Sequence, residues 1–252
     1  MLAALIEGKL SRIQENMEDV LTSNVFGIMQ YLSAGEALVP FLECAETPDG
    51  IRPLAALPSD VKATYAFWPR IEQPGCHRCE PDVMIRLSHS GKRPWLILIE
   101  AKFLSGKSSE EDGSSSAPYD QLAREWDNLT SLAEHERVEP LLLYVTADIG
   151  LPRQELAASA KEFSAKRSNC TAARPFSCAW VSWRQLSVIF RGARKPATRD
   201  LCAMANRLAL CYFETLTQFD AKPLAAWHFR AASREFCWEA AGRTATIWSF
   251  VK

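Results

Sequence analysis

The stretch Glu80-Pro81-Asp82-Val83-Met84-Ile85-Arg86-Leu87, the turn Ser88-His89-Ser90-Gly91-Lys92-Arg93-Pro94 and the run Trp95-Leu96-Ile97-Leu98-Ile99-Glu100-Ala101-Lys102 decide the fold. The first arm alternates, with Val83, Ile85 and Leu87 on one face and Asp82, Met84 and Arg86 on the other, which is the period of a half-buried strand. The second arm is apolar on both faces, as befits a strand in a sheet centre covered from both sides. Polar turn chemistry joins them. Pairing about Gly91 puts Asp82 nine residues before the pivot and Glu100 nine after it. The two are then cross-strand neighbours, with Cβ atoms roughly 4.5–5.5 Å apart. Lys102 projects from the same strand face as Glu100. Facing carboxylates at the end of a buried strand repel each other, and burying each without a partner is costly. A bound divalent cation would relieve both penalties, and Lys102 alone relieves part. A structural Asp/Glu–Lys network on a strand end is the other reading of the same residues.

Outward from this hairpin, residues 2–21 carry Leu2, Leu5, Ile6, Leu10, Ile13, Met17, Val20 and Leu21 at helical spacing, which predicts a helix. Thr22-Ser23-Asn24 offers a cap or kink before a second helix bearing Val25, Phe26, Ile28, Met29, Tyr31 and Leu32. Residues 35–58 read as a short helix and a Pro-containing loop, and 61–68 as a strand closed by Pro69 and Pro74. Residues 104–118 are rich in Ser, Gly and Glu and predict a mobile loop beside the hairpin's end. A helix is expected over 118–133, a buried strand over 140–147, a helix over 152–167 with Pro in its first turn, a strand over 177–182, and helices near 184–191 and 198–214. The order helix, three strands, helix, strand, helix, strand predicts an α/β chain with a mixed central sheet flanked by helices. One domain over 1–215 accounts for it. Residues 216–252 change character, with Trp227, Phe229, Phe236, Trp238, Trp248 and Phe250 close together. They predict an appendage that packs on the core or on a partner, its aromatics buried rather than stacked on bases.

Composition sets bounds. The chain has 252 residues, 48% hydrophobic and 23% charged, as in ordinary globular proteins. No apolar run approaches a membrane span. The start Met1-Leu2-Ala3-Ala4-Leu5-Ile6 lacks a basic prefix and meets Glu7 early, so no secretory signal and a cytoplasmic location are expected. Eight scattered cysteines suit buried thiols in a reducing compartment. Cys76-His77-Arg78-Cys79 offers half a zinc site without a second pair of matching spacing. The four histidines form no catalytic pattern, and no phosphate-binding glycine loop is present. The net charge of −1 hides an asymmetry. Residues 1–50 carry Lys9 and Arg12 against eight acids, whereas 151–199 carry ten basic residues against Glu155 and Glu162, a local balance of +8. Lys161, Lys166, Arg167, Arg191, Arg194 and Lys195 are the candidates for a phosphate-facing surface. A solvated face is the alternative.

Pro81-Asp82 and Glu100-Ala101-Lys102, one opening a strand and the other closing the next, resemble the PD and ExK elements of the PD-(D/E)xK nuclease superfamily. The resemblance covers roughly the first 150 residues. It implies a restriction-endonuclease-like core, with Asp82, Glu100 and the Ala101 carbonyl holding one or two Mg²⁺ or Mn²⁺ ions. Lys102 would orient or deprotonate the attacking water, or neutralise developing charge. It also implies a third acid from the first helix. Glu15, Glu18 and Asp19 share a helix side, and Glu18, just before Val20-Leu21-Thr22-Ser23, matches that place, with Glu15 in reserve. Gln121, early in the helix after the ExK element, matches a glutamine that contacts metal-bound water or the DNA backbone. Related nucleases carry an aromatic four residues on, whereas here Trp126 is five on. The implied activity is a Mg²⁺-dependent phosphodiesterase, most readily a DNA endonuclease with nucleic acid as partner, DNA before RNA. Such enzymes often serve in restriction, phage defence, repair or mobile-element systems. A homodimer or regulatory protein would supply what one chain lacks. The alternatives are a non-enzymatic nucleic-acid- or partner-binding subunit retaining the fold, and an effector activated by RNA or a cyclic nucleotide.

Overall fold

The structure is a computed structural model. It describes residues 2–9, 18–58, 60–88, 93–104, 117–167 and 174–212, together with the backbone of three strands within 227–248. The chain divides into two units, Met1–Tyr212 and Phe213–Lys252, a boundary three residues before the one expected.

The first unit is an α/β layer structure. Its sheet has five strands, β1 (Lys62–Phe67), β2 (Val83–Ser88), β3 (Trp95–Ala101), β4 (Glu139–Thr146) and β5 (Cys178–Ser182), arranged in sequence order. β1, β2 and β3 form an antiparallel meander, and β3, β4 and β5 run parallel. The helices before the sheet are α1 (Leu2–Ile6), α2 (Glu18–Met29) and α3 (Leu38–Leu42). Two crossovers carry α4 (Gln121–Glu136) and α5 (Arg153–Arg167), and α6 (Gln185–Ile189) and α7 (Pro196–Arg207) follow β5.

Side-chain alternation divides the core into two layers. Val83, Ile85, Leu87, Ile97, Ile99, Leu143 and Val181 face α2, α3, α6 and α7, whose Phe26, Phe41, Leu186 and Leu201 complete that layer. Leu96, Leu98, Leu142, Tyr144 and Trp180 face α4 and α5, meeting Leu122, Trp126, Leu129, Leu156 and Phe163. β3 is therefore apolar on both faces because it is covered on both. The expected hairpin register holds. Val83 lies opposite Ile99 and Ile85 opposite Ile97, so one step further Asp82 meets Glu100. Residues 89–92 of the turn lie outside the described residues, as do 105–116 of the loop expected beside the hairpin's end.

Three helical expectations are corrected. Residues 2–21 are not one helix. α1 stops at Ile6, and Gly8 takes a left-handed φ of 63°, with Lys9 N–H donating to the Ala4 carbonyl at 2.8 Å. A glycine in that conformation closes a helix, and residues 10–17 lie outside the described set. Thr22-Ser23-Asn24 neither caps nor kinks. α2 runs through it because Leu21, Thr22, Val25 and Phe26 are all buried, and that packing overrides weak local helix preference. α7 also ends at Arg207 rather than 214, with Ala209 left-handed and Leu210 N–H on the Ala205 carbonyl.

The second unit contains a three-stranded antiparallel sheet, β6 (Trp227–Arg230), β7 (Glu235–Trp238) and β8 (Thr246–Trp248). Its register pairs Trp227 with Trp238, Phe229 with Phe236 and Phe236 with Trp248. Phe250 lies outside the described residues. Among the described residues no helix is long and apolar enough to cross a membrane.

Candidate functional site

The end of β3 collects charge in an otherwise apolar sheet. Asp82, Glu100 and Lys102 are all buried, at 7%, 2% and 8% exposure. Ala101, turned toward β2, donates its N–H to Asp82 Oδ2 at 2.8 Å. Trp68, just past the end of β1 and left-handed at a φ of 47°, donates its N–H to the Asp82 carbonyl at 2.9 Å. Asp82 is thus fixed through both side chain and backbone. Lys102 Nζ donates to Glu100 Oε1 at 2.5 Å and to Glu18 Oε1 at 3.0 Å. Glu18, the first residue of α2, accepts in addition from Phe103 N–H at 3.0 Å. Glu18 is thus the acid that the start of α2 brings beside Lys102 and Glu100. Glu15 lies outside the described residues.

Glu18, Asp82 and Glu100 each present a carboxylate oxygen within 4.8 Å of the others. Two oxygens bound to one hard cation at about 2.1 Å lie at most about 4.2 Å apart. Closing the trio around an ion would therefore draw the carboxylates together by small side-chain movements. Lys102 N–H donates to the Val145 carbonyl of β4 at 2.7 Å, so the Ala101 carbonyl of the same trans peptide points the other way, to the β2 side on which Ala101 N–H meets Asp82. These groups could hold a metal ion, and every donor is oxygen.

The electrostatics follow from burial. Desolvation, reinforced by the Glu100 charge, pushes Asp82 up from 3.8 to about 7, against the pull of the Ala101 N–H and Lys102. Burial likewise raises Glu100, while the Lys102 ammonium and a hydrogen bond with Glu125 hold it down. For Lys102, burial alone would lower the value, but the charge and hydrogen bonds of Glu100 and Glu18 outweigh it and raise it above the ordinary range. Lys102 is therefore an ammonium here, suited to neutralising charge and not to taking a proton.

Gln121 sits at the start of α4, whose cap is Asp120 accepting the Ala123 N–H at 3.1 Å. Its amide donates to Glu100 Oε1 at 2.6 Å, so it reaches the site. One helical turn on, Glu125 does too. It is 1% exposed and hydrogen-bonded to Glu100. Burial and then the Glu100 charge raise it well above the usual carboxylate range. The sequence reading missed Glu125. Its signal was an acid at i+4 from Gln121, set among Leu122, Ala123, Trp126 and Leu129.

The loop delivering Asp82 is tied to the helices. Asn128, fully buried on α4, accepts the Gln73 N–H at 3.0 Å and donates to the His77 carbonyl at 2.6 Å. Arg167 on α5 pairs with Asp127 and donates to the Gly75 carbonyl at 2.9 Å. Arg167, a candidate for phosphate contact, is thus engaged in holding this loop. The other basic candidates do not make one surface. Lys161 and Lys166 lie on α5, over one sheet face, and Arg191, Arg194 and Lys195 between α6 and α7, over the other. Lys166 rests 5.0 Å from the Tyr119 ring, and Lys195 pairs with Glu36. The local balance of +8 is split because β5 lies between the two groups.

Cys76 and Cys79 are free thiols, Cys76 within the loop that the Ile71–Cys79 bridge closes and Cys79 at its end. Burial and then the Asp127 charge push Cys76 up to about 12, and burial raises Cys79 further. Thiols so hard to ionise are poor ligands and nucleophiles. Among the described residues, no other group of three His, Cys, Asp or Glu side chains converges as Glu18, Asp82 and Glu100 do, so no zinc site forms there. Beside Lys102 lies a cavity of about 300 Å³, lined by Tyr144, Thr146, Asp148, Glu155 and Arg184. The Arg184 guanidinium is held by the carbonyls of Ala147, Ala209 and Cys211.

No protein-family model, curated protein or solved structure matches the chain.

Proposed function

We propose that the chain is a divalent-cation-dependent phosphodiesterase of the PD-(D/E)xK type, cutting nucleic acid and DNA in preference to RNA. One observation carries this reading: Glu18, Asp82 and Glu100 arrive from a helix, a loop and a strand end within 4.8 Å of one another, with Lys102 beside them. Three buried or half-buried carboxylates in one place oppose folding unless something uses them. An all-oxygen donor set suits Mg²⁺ or Mn²⁺ rather than zinc. When bound, such an ion would offset a phosphodiester's charge and acidify water. Glu18, Asp82 and Glu100 would hold it, with the Ala101 carbonyl as a further oxygen. Lys102, held as an ammonium, would then face the scissile phosphate and stabilise the negative charge that grows on it. Gln121, whose amide already meets Glu100, would orient Glu100 and a water beside it.

A second reading has one observation in its favour. Lys102 already satisfies Glu18 and Glu100 by itself, as a purely structural ion-pair network would. On that reading the chain is a non-enzymatic subunit that binds nucleic acid or a protein partner. Cleavage of supercoiled plasmid, linear duplex, single-stranded DNA and RNA, in Mg²⁺, Mn²⁺ or EDTA, separates the two. The nuclease cuts at least one substrate with metal and not in EDTA, and Asp82→Ala and Lys102→Ala abolish cutting. Folded wild-type protein that cuts none of them supports the binding subunit.

A further inference from the structure

Arg184 is a cation fixed in place by uncharged partners. Its Nε donates to the Ala147 carbonyl at 2.9 Å, and its Nη1 to the carbonyls of Ala209 and Cys211 at 2.9 and 2.6 Å. Those bonds use three of the five N–H groups of a guanidinium, and Nη2 donates to none of these carbonyls. Carbonyls orient the group without cancelling its charge. Among the described residues no carboxylate pairs with it. The side chain is half-buried, and a charge held there unpaired is costly unless an anion meets it.

Arg184 also lines two cavities that lie side by side. The first, of about 300 Å³, is the one next to Lys102, and Asp148 and Glu155 give it negative charge. The second, of about 360 Å³, shares Leu104, Ala147 and Arg184 with the first. Its walls carry Arg184 and Arg207, and its six other lining residues are all apolar, so no acid faces it. Phe103 and Leu104, which follow Lys102 directly, form part of its wall.

We propose that this second cavity takes a phosphate of the nucleic-acid strand next to the scissile one, with Arg184 as the group that grips it and Arg207 as a second cation. The inference rests on the nuclease reading and gives it a substrate-binding residue. A guanidinium matches phosphate oxygens with paired N–H groups, which suits it to this contact. Three carbonyls already hold Arg184, so little side-chain freedom is lost when phosphate arrives. The strand would pass from Lys102 along Arg184 toward Arg207. Asp148 and Glu155 repel phosphate from the first cavity, which leaves the second as its place.

Fluorescence anisotropy of a labelled DNA duplex of roughly 20 base pairs, and of one of its strands, in EDTA and between about 50 and 200 mM KCl, tests this on the whole chain. Neutralising one phosphate adds about 1 to the slope of the log binding constant against log salt. Arg184→Met should bind about tenfold more weakly at the low-salt end, with a slope shallower by about 1. Arg184→Lys, which keeps the charge, should recover the wild-type slope. A purely structural Arg184 would lower Tm and leave the slope alone, and thermal melts check that the variants are folded. An unchanged slope in Arg184→Met overturns the proposal and leaves the nuclease reading standing. If Arg184→Met does not fold, Arg184→Gln, whose amide still serves a carbonyl, is judged by the same slope. Free phosphate offers the same oxygens. A Tm gain from inorganic phosphate that Arg184→Met loses while its DNA slope is unchanged makes this a free-phosphate site and overturns the strand contact. Wild-type protein that binds neither probe also overturns the inference, and the cleavage assay then decides the nuclease reading separately.

Discussion

Replacing Lys102 by methionine removes the ammonium that bridges Glu18 and Glu100 while keeping the length of the side chain. What remains is three carboxylates with oxygens within 4.8 Å of one another. At that separation and an effective dielectric near 20, each charged pair repels by about 3.5 kcal/mol. Glu100 is 2% exposed, so water relieves little of it. Protonation relieves more, since Asp82 is already poised at about 7. Removing one partner of a buried ion pair usually costs roughly 3–5 kcal/mol, and with that relief the lower end, about 3 kcal/mol, applies. For a unit of this size, 1 kcal/mol moves Tm by roughly 2–4 °C, so the Lys102→Met protein should melt about 6–12 °C lower in EDTA. Saturating Mn²⁺ puts positive charge back, so the Tm gained on adding metal should be larger in the variant than in wild type. Differential scanning calorimetry with and without Mn²⁺ tests both halves. Equal melting of the two proteins in EDTA, or equal gains from Mn²⁺, would refute the idea that Lys102 holds the trio together without metal. Cleavage should be lost in the same variant by roughly a hundredfold or more, even with metal bound.

Four further outcomes follow from the same geometry. Asp82 rises from 3.8 unfolded to about 7 folded, so in this interval the folded state binds more protons than the unfolded one. Metal-free stability should therefore fall as pH rises from about 4 to about 7, and the Tm gained from Mn²⁺ should grow over the same interval; melts across pH in EDTA and in Mn²⁺ read both. Asn128→Ala removes the tie between α4 and the loop that delivers Asp82, leaving the Gln73 N–H and His77 carbonyl without their partner, and should cost about 2–3 kcal/mol in denaturant unfolding. Arg167→Ala should destabilise by about 2–3 kcal/mol, because it leaves the buried Asp127 carboxylate unpaired, while the salt dependence of DNA binding stays the same. Lys161→Ala, on the exposed side of α5, should change stability by less than about 0.5 kcal/mol.

The centre of the fold was legible because its signals are local and periodic. Alternation in 82–87, an apolar run in 95–99 and a turn about Gly91 fix one register, and that register alone brings Asp82 to Glu100. What periodicity could not show was where it is interrupted. The apolar spacing over 2–21 runs across Gly8, whose left-handed backbone ends α1, and Thr22-Ser23-Asn24 stays helical because its neighbours are buried. Long-range placement was the other gap. The basic segment 151–199 looked like one surface, but consecutive helices there cover opposite faces of the sheet. Glu125 was passed over because a single acid in a helix usually faces water, and only the packing of α4 on β3 turns it toward Glu100.

The central claim is that Glu18, Asp82 and Glu100 hold a divalent cation, and crystals soaked in Mn²⁺, measured at the manganese absorption edge, test it most directly. The account predicts an anomalous peak about 2 Å from an oxygen of each of the three carboxylates. No peak there, with Lys102 still bridging Glu18 and Glu100, would contradict it and leave a structural ion-pair network in place of a metal centre.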